Sequence, residues 1–408
     1  TSDKYYVVAL PRLANYLGAS SEEYSGYVKQ YVELKIDMGD YVMANTYNEA
    51  LLYFYKVTKG EKDPTYRACL NSKAMIFQGQ GDYIKAIEIF KEALYMSQMD
   101  EVPDTARITT GMNNLAYCYR LMGENDEALD LFIRAYQLES KCSTIEPQDM
   151  ASLLNNLAIV YKAKCDYANA EKCFLKSIEL YQKANMQFNV EFANPCNNLG
   201  DMYRMLGNFS DAYRYISFSL EIRRNTSGEE HEYFANALNN IGLLCFEMGN
   251  YDEAEKCFLR CEEIYKAKLG ENNDRSAAIL NQLGSLYAEK KDYKKALDYK
   301  SKCLQLMEKT VGKQNDRYAM FLSGKGSVQY RMKDYDGAVK SYKESVEIFK
   351  NNFGTENYNY LDMMHSLAFI YDRTGNDKES RACHLKSIYG YKKVVTDNLA
   401  FMGDEERT

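Results

Sequence analysis

The stretch "LNNLAIVYKAKCDYANAEKCF", residues 154–174, places two adjacent asparagines inside a segment that otherwise has the apolar spacing of an amphipathic helix. Asparagine is a poor helix former, because its short amide competes for backbone hydrogen bonds. The same pair returns in "MNNLAYCY", "CNNLGDMY" and "LNNIGLLC", and in a similar form in "LNQLGSLY". A pair of poor helix formers that recurs among the same neighbouring residues indicates an internal repeat.

The repeat has a strict period of 42 residues, which separates the apolar residues that follow the asparagines, Leu115, Leu157, Leu199, Ile241 and Leu283. Each unit reads as two amphipathic helices, because its apolar residues fall on one stripe of a 3.6-residue helix. Turns such as "GDY", "GNY" and "KDY" join the two helices, with glycine suited to a left-handed C-cap and Asp or Asn to the next N-cap. Small residues at fixed positions let the two helices touch, among them Ala44, Ala86, Ala128, Ala170, Ala212, Ala254, Ala296 and Ala338.

These motifs resemble the tetratricopeptide repeat (TPR), and the 42-residue pattern "NNLA...Y...G.Y..A" resembles its kinesin-light-chain type. The resemblance implies an all-α, right-handed α-solenoid, a superhelix of about nine helix pairs whose first helices line the concave side. We expect an N-terminal capping helix in residues 1–24 and the solenoid in residues 25–398. Its units begin near residues 25, 67, 109, 151, 193, 235, 277, 319 and 361. The early Trp of the family is absent, and Lys325 and Gln329 take slots that are normally apolar.

The asparagines form two columns, which a helical wheel places away from the buried stripe. The leading column is Asn113, Asn155, Asn197, Asn239 and Asn281, and the trailing column is Asn114, Asn156, Asn198, Asn240 and Gln282. A carboxamide donates and accepts hydrogen bonds, so a column of them can hold the backbone of an extended peptide. The alternative is that the amides bond to one another and fix the stacking of the units. We expect the leading column to be structural and the trailing column to contact ligand, as the peptide-binding members of the TPR family imply.

A short basic strip, Arg120, Lys162 and Arg204, lies at one later position of three consecutive units. It favours an acidic segment or a C-terminal carboxylate as ligand. An equally supported interpretation is that these residues are solvated helix charges paired with nearby Glu. Phe246 takes the same position in the next unit, so the groove is expected to turn from basic to aromatic.

The composition argues against several other functions. A net charge of -7 with interspersed acids and bases lacks the basic surface that nucleic acid or an anionic membrane requires. Eleven cysteines without paired metal-binding spacing indicate reduced thiols and a cytoplasmic protein. His384 follows Cys383, but consecutive helical residues point about 100° apart and cannot act as base and nucleophile. We therefore predict no metal, no cofactor and no catalytic residue.

The chain is predicted to be a peptide-binding or protein-binding scaffold rather than an enzyme. Residues 399–408 read as the start of a truncated segment, and the tail "FMGDEERT" resembles the junction at which such repeats precede a caspase-like CHAT peptidase domain. One alternative function is thus the sensing or substrate-recruiting half of a larger peptidase, and another is a receptor for a short signalling peptide. We expect Asn156→Ala with Asn198→Ala to abolish ligand binding with little change in melting temperature.

Overall fold

The computed structural model of the chain describes residues 2–18, 21–100, 103–142 and 146–401, and every regular element within these ranges is an α-helix. The chain divides into two compact units, Thr1–Met202 and Tyr203–Thr408. The boundary falls within one helix, α10 (Val190–Met205). No helix in the described ranges is long and apolar enough to cross a membrane.

The first unit opens with α1 (Ser2–Leu17), which packs on α2, and continues as pairs of helices. The first helices of the pairs are α2 (Glu22–Asp37), α4 (Pro64–Gly79), α6 (Thr105–Met122) and α8 (Pro147–Ala163). The second helices are α3 (Tyr41–Thr58), α5 (Tyr83–Gln98), α7 (Asn125–Glu139) and α9 (Tyr167–Lys183). From α1 to α9 each helix packs on the next in the chain, and α2 also contacts α4, as α6 contacts α8. Neighbouring first helices of this unit are therefore in direct contact at these two places.

The second unit repeats this arrangement. Its second helices are α11 (Phe209–Ser227), α13 (Tyr251–Leu269), α15 (Tyr293–Thr310), α17 (Tyr335–Phe353) and α19 (Asp377–Phe401). Its first helices are α12 (Glu232–Glu247), α14 (Asp274–Glu289), α16 (Asp316–Arg331) and α18 (Tyr358–Arg373). Consecutive helices pack from α11 to α19, and α14 also contacts α16.

Contact between small and large side chains holds each helix pair together. The eight alanines of the predicted turn-proximal column are all 0 % exposed, from Ala44 to Ala338. One turn later most units bury a ring, and each such side chain contributes about 1.5–3 kcal/mol. Phe258 is 1 % exposed, and a Cβ added at Gly242 of the facing helix would lie 2.7 Å from its ring. Close packing of adjacent helices in pairs confirms the all-α solenoid class that the period predicts.

The turn inside each pair places one residue in the left-handed region. Glycine occupies this position in most units, as at Gly123 with φ of 85°. Three units place another residue there, namely Cys165, Lys291 and Lys333, with φ of 61°, 63° and 65°. The Asp or Asn that follows caps the second helix through a side-chain oxygen in the turns of Asp40, Asp82, Asp166, Asn208, Asp292 and Asp334.

Helix boundaries differ from the expected unit starts in one consistent way. The first helices begin three or four residues earlier, as α4 does at Pro64 rather than near residue 67. The reason is that N-caps such as Asp63 lie in the connection, and proline suits the first helical turn. Residues 399–401 belong to α19, while residues 402–408 lie outside the described ranges, so the resemblance of the tail to a CHAT junction remains a prediction.

The polar residue Gln329 in an apolar slot is accommodated by hydrogen bonding. Gln329 is 9 % exposed, donates to Asp334 Oδ2 over 3.0 Å and accepts from Ser341 Oγ over 2.7 Å. Because both ends of the amide are bonded, its burial does not leave an unsatisfied group. Lys325, the other departure, is half-buried at the edge of a cleft that also contains Glu308 and Glu344.

Candidate functional site

The asparagine columns lie on the first helices, as expected, and each of their residues is half-buried. In the first unit they belong to α6, α8 and α10, and in the second unit to α12 and α14. Apolar neighbours one position later, such as Leu115 and Leu157, are 3 % and 4 % exposed. The amides are thus neither sealed between helices nor fully solvated, and their geometry decides what they can bind.

Amides of the first unit pair across neighbouring first helices. Asn156 Nδ2 donates to Asn113 Oδ1 over 3.0 Å, and Asn198 Nδ2 donates to Asn155 Oδ1 over the same distance. In each pair a trailing-column amide reaches the leading-column amide of the preceding helix pair, 43 residues earlier. Both columns therefore contribute to stacking, which the sequence assigned to the leading column alone. Each trailing amide has a second N–H and its own oxygen for other partners.

Two amides of the second unit present acceptors without a partner. The Oδ1 atom of Asn239 and the Oε1 atom of Gln282 are buried from solvent and accept no hydrogen bond within the described part of the chain. Asn71 Oδ1, in the first unit, is in the same condition. A buried acceptor left unsatisfied costs about 1–3 kcal/mol of folding free energy.

In the second unit, Lys300 takes the place of a missing amide in the trailing column. The repeat that begins near residue 319 has Gly324 at the trailing position, and a Cβ there would lie 3.1 Å from Lys300 Nζ. That ammonium donates to Asn281 Oδ1 over 2.6 Å and to Ser285 Oγ over 2.8 Å. Lys300 is 3 % exposed, and burial lowers its pKa to about 8. Asn281 is therefore engaged internally.

The basic strip does not present three free cations. Lys162 Nζ lies 2.8 Å from Asp201 Oδ2, and Arg204 forms an ion pair with Glu247. The guanidinium carbon of Arg120 lies 4.6 Å from the centre of the Tyr117 ring. Carboxylates on the next first helix thus compensate two of the three charges, the arrangement that the second of the two interpretations describes.

The aromatic continuation of the strip is part of a side-chain pair. Phe246 is half-buried, and its ring centre lies 5.7 Å from that of Tyr251 at the start of the paired helix. Tyr330 makes the corresponding contact with Tyr335, also at 5.7 Å. These rings support the turn and expose only part of their surface.

Two adjoining cavities lie along the amide-bearing face of the first unit. One is lined by α2, α4, α5 and α6 and includes Asn71 and Arg67, whose guanidinium bonds Asp100 over 2.6 Å. The other lies between α6, α7 and α8 and includes Asn113 and Glu139. Glu139 was not identified from the sequence, although a signal exists: it is the one carboxylate at a repeat position otherwise filled by Tyr55, Ser97, Tyr181, Arg223, Tyr265, Met307, Phe349 and Tyr391.

The cysteines have the surroundings of structural thiols. Burial raises the pKa of Cys173 to about 11 and that of Cys257 to about 12. Cys261 Sγ donates to Ala235 O over 3.2 Å, a bond that Ser177 and Ser345 make at the same repeat position. His384 contacts Asp372 over 3.2 Å, while burial raises the pKa of Cys383. None of these thiols is activated as a nucleophile by its surroundings.

The chain belongs to the tetratricopeptide repeat family. Models of that repeat match residues 68–98, 104–183, 191–267, 233–309 and 317–393, which together span more than half of the chain. The family resemblance stated from the motifs is thereby confirmed. No curated protein matches the chain.

Solved structures are similar to the chain at low sequence identity, and those with TM-scores above 0.5 share its fold. A Rap protein complexed with Competence and Sporulation Factor has 13% identity and a TM-score of 0.63, over 92% of this chain and 99% of that one. A Signal Transduction ATPase with Numerous Domains that has a tetratricopeptide repeat sensor, from Pyrococcus horikoshii, has 16% identity and a TM-score of 0.59. That match covers 93% of this chain and 55% of the ATPase chain. A putative kinesin light chain repeat protein from Podosopora anserina has 16% identity and a TM-score of 0.42, over 50% of this chain and 97% of its own.

Proposed function

We propose that the chain binds an extended peptide segment of a partner along the amide-bearing face of its first helices. The observation that carries this proposal is the presence of buried acceptors without partners in the amide columns, Asn239 Oδ1 and Gln282 Oε1. Extended peptides supply regularly spaced N–H donors whatever their sequence, so they match such a column.

The paired amides of the first unit favour peptide binding on that unit in a second way. Each bond between Asn156 and Asn113, or between Asn198 and Asn155, fixes the orientation of both amides. Fixed amides lose little entropy when a ligand binds, which is the benefit of preorganisation. Each peptide contact contributes about 0.5–1.5 kcal/mol, so a useful affinity requires several of them.

Compensated charges in the basic strip bear on the chemistry of the ligand. Because Lys162 and Arg204 already have carboxylate partners, an acidic peptide would have to compete with Asp201 and Glu247. We therefore propose that recognition rests on the peptide backbone and does not require an acidic ligand.

A displayed library of random 12-residue peptides, selected on the full chain, tests this function. Enriched peptides are then titrated calorimetrically against the wild type and against Asn156→Ala and Asn239→Ala. We expect at least one of these variants to lose tenfold in affinity, which equals about 1.4 kcal/mol. The control is Asn225→Ala, which removes an exposed carboxamide from the second-helix layer. If no peptide is enriched, or if every binder ignores both variants, the chain is not a backbone-reading peptide scaffold.

A receptor for a short signalling peptide is the second candidate. It is favoured by the two adjoining cavities of the first unit, which together extend from α2 to α8. The Rap protein of the same fold is itself complexed with a factor. Truncating an enriched peptide separates the candidates: a receptor retains full affinity for a short core of the peptide, whereas a scaffold loses affinity with each residue removed.

A further inference from the structure

The cavity between α6, α7 and α8 is lined by a buried carboxylate, one oxygen of which accepts no hydrogen bond. Glu139 is 7 % exposed, and its Oε2 atom accepts no hydrogen bond. Asp149 lines the same cavity from α8. Neither carboxylate has a lysine or arginine partner within the described residues, so two acids share one cavity without a cation.

The cavity exists because of the residue type at position 139. At the same repeat position, Tyr181 reaches Ser152 Oγ over 2.6 Å and Tyr265 reaches Asn236 Oδ1 over 2.7 Å. Those rings fill the space between the two helices of a pair and the next first helix. Glu139 is shorter than a tyrosine, and a space of about 210 Å³ remains beside it. This volume is below the roughly 300–1,000 Å³ of a pocket for a drug-sized molecule, and it suits a single side chain.

The walls of the cavity are rich in oxygen acceptors. Thr109, Thr110 and Ser152 contribute hydroxyl groups, and Asn113 lies at the edge where Asn156 donates to it. Burial raises the pKa of Glu139, the neighbouring charge of Asp149 adds to that effect, and the Thr109 hydroxyl opposes it. An unpaired buried carboxylate costs folding free energy, and a cation placed beside it removes that cost.

We propose that this cavity is a specificity subsite that receives a lysine or arginine side chain of the bound peptide, with Glu139 as its counter-ion. The subsite adjoins the amide pair of Asn113 and Asn156, so a peptide backbone held there has its side chains within reach of the cavity. The inference rests on the proposed function and adds a requirement for a basic residue at one register. Metal binding is a poorer fit, because no group of three or more metal-ligating side chains occurs in the described part of the chain.

The test uses the chain and three variants of it, each with one substitution. Glu139→Gln retains the shape and removes the charge, and Glu139→Tyr fills the cavity as Tyr181 does in the next repeat. Glu127→Gln is the matched control, since it removes an exposed carboxylate from the same helix α7. We expect Glu139→Gln to fold with equal or greater stability, because it removes an uncompensated buried charge.

Two measurements give the result. Peptides selected from the random library on the wild type should carry Lys or Arg at one register. Replacing that residue by norleucine should weaken binding at least tenfold in the wild type and in Glu127→Gln, but less than twofold in both Glu139 variants. In parallel, Nα-acetyl-lysine methylamide should shift the carbon-13 signal of the Glu139 carboxyl in the wild type, and the norleucine analogue should not.

The outcomes separate this inference from the proposed function. Peptides that bind without a basic residue, equally well in both Glu139 variants, overturn the subsite and leave peptide binding intact. If the library yields no binder, peptide binding fails and the methylamide probe alone decides the subsite. Absence of a shift with that probe, or an equal shift with the norleucine analogue, overturns it. If Nα-acetyl-lysine methylamide binds as tightly as a selected peptide, the cavity is instead a site for a small free cation.

Discussion

Lys300 donates from Nζ to Oδ1 of Asn281 over 2.6 Å, and this lysine stands where four other units bury a phenylalanine. The ammonium fills the space above Gly324, which stands at the trailing position of its repeat in place of an amide. A polar column has thus been continued from the opposite helix, at the cost of burying an amine without a carboxylate.

Lys300 should make stability depend on pH in the alkaline range. Its pKa falls from an ordinary value of 10.5 to about 8 in the folded chain, so between these values the unfolded chain binds the extra proton. The free energy of unfolding of the wild type should therefore rise with pH there, by about 3 kcal/mol relative to Lys300→Met. Urea unfolding at several pH values measures the difference. The neighbouring thiol Cys303 stays protonated in this window, because burial raises its pKa to about 12.

A matched control for that experiment is Lys294→Met, which changes an exposed lysine on the same helix. Its free energy of unfolding should differ from that of the wild type by the same amount at every pH. If Lys300→Met and Lys294→Met give parallel curves, the pKa of Lys300 is not lowered in the folded chain.

The two kinds of leading-column asparagine should respond differently to substitution. Asn113→Ala removes the acceptor of Asn156 and should lower the free energy of unfolding by about 1–2 kcal/mol. Asn239→Ala removes an acceptor that has no partner and should change it by less than about 0.5 kcal/mol. Chemical denaturation of both variants compares them directly. Equal losses would mean that Asn239 is also bonded within the chain.

The expectation that Asn156→Ala with Asn198→Ala leaves the melting temperature almost unchanged is revised by the structure. Each asparagine donates to the preceding unit, so the double variant leaves Asn113 and Asn155 without their donors. We expect a loss of about 2–3 kcal/mol, from two unsatisfied acceptors. Calorimetric melting checks it, and an unchanged melting temperature would restore a role confined to ligand binding.

Turns with a non-glycine residue at the left-handed position should gain stability from glycine. Lys333 has φ of 65°, a conformation that costs a residue with a Cβ about 1 kcal/mol relative to glycine. Lys333→Gly should therefore raise the free energy of unfolding by up to about 1 kcal/mol, and the reciprocal Gly249→Lys should lower it by a similar amount. Denaturation midpoints of the pair test this, and a destabilised Lys333→Gly would contradict it.

Much of the architecture could be predicted from the sequence, because a period of 42 residues gives every repeat the same local structure. Ala128 must touch a facing helix wherever it recurs, and Gly123 must end a helix, so these positions could be assigned without coordinates. The polar face of the first helices follows from the same helical wheel. What the period cannot show is how neighbouring units differ in their contacts.

The sequence by itself determined the helix pairs, their turns and the face on which Asn113 and Asn156 lie. Only the tertiary structure decided that these two amides bond to each other, that Lys162 is neutralised by Asp201, and that Glu139 lines a cavity. The physical reason is that helical periodicity fixes the direction of a side chain on its own helix. The partner of that side chain depends on which residue of the next unit reaches it, and on the space that the side chains between them leave.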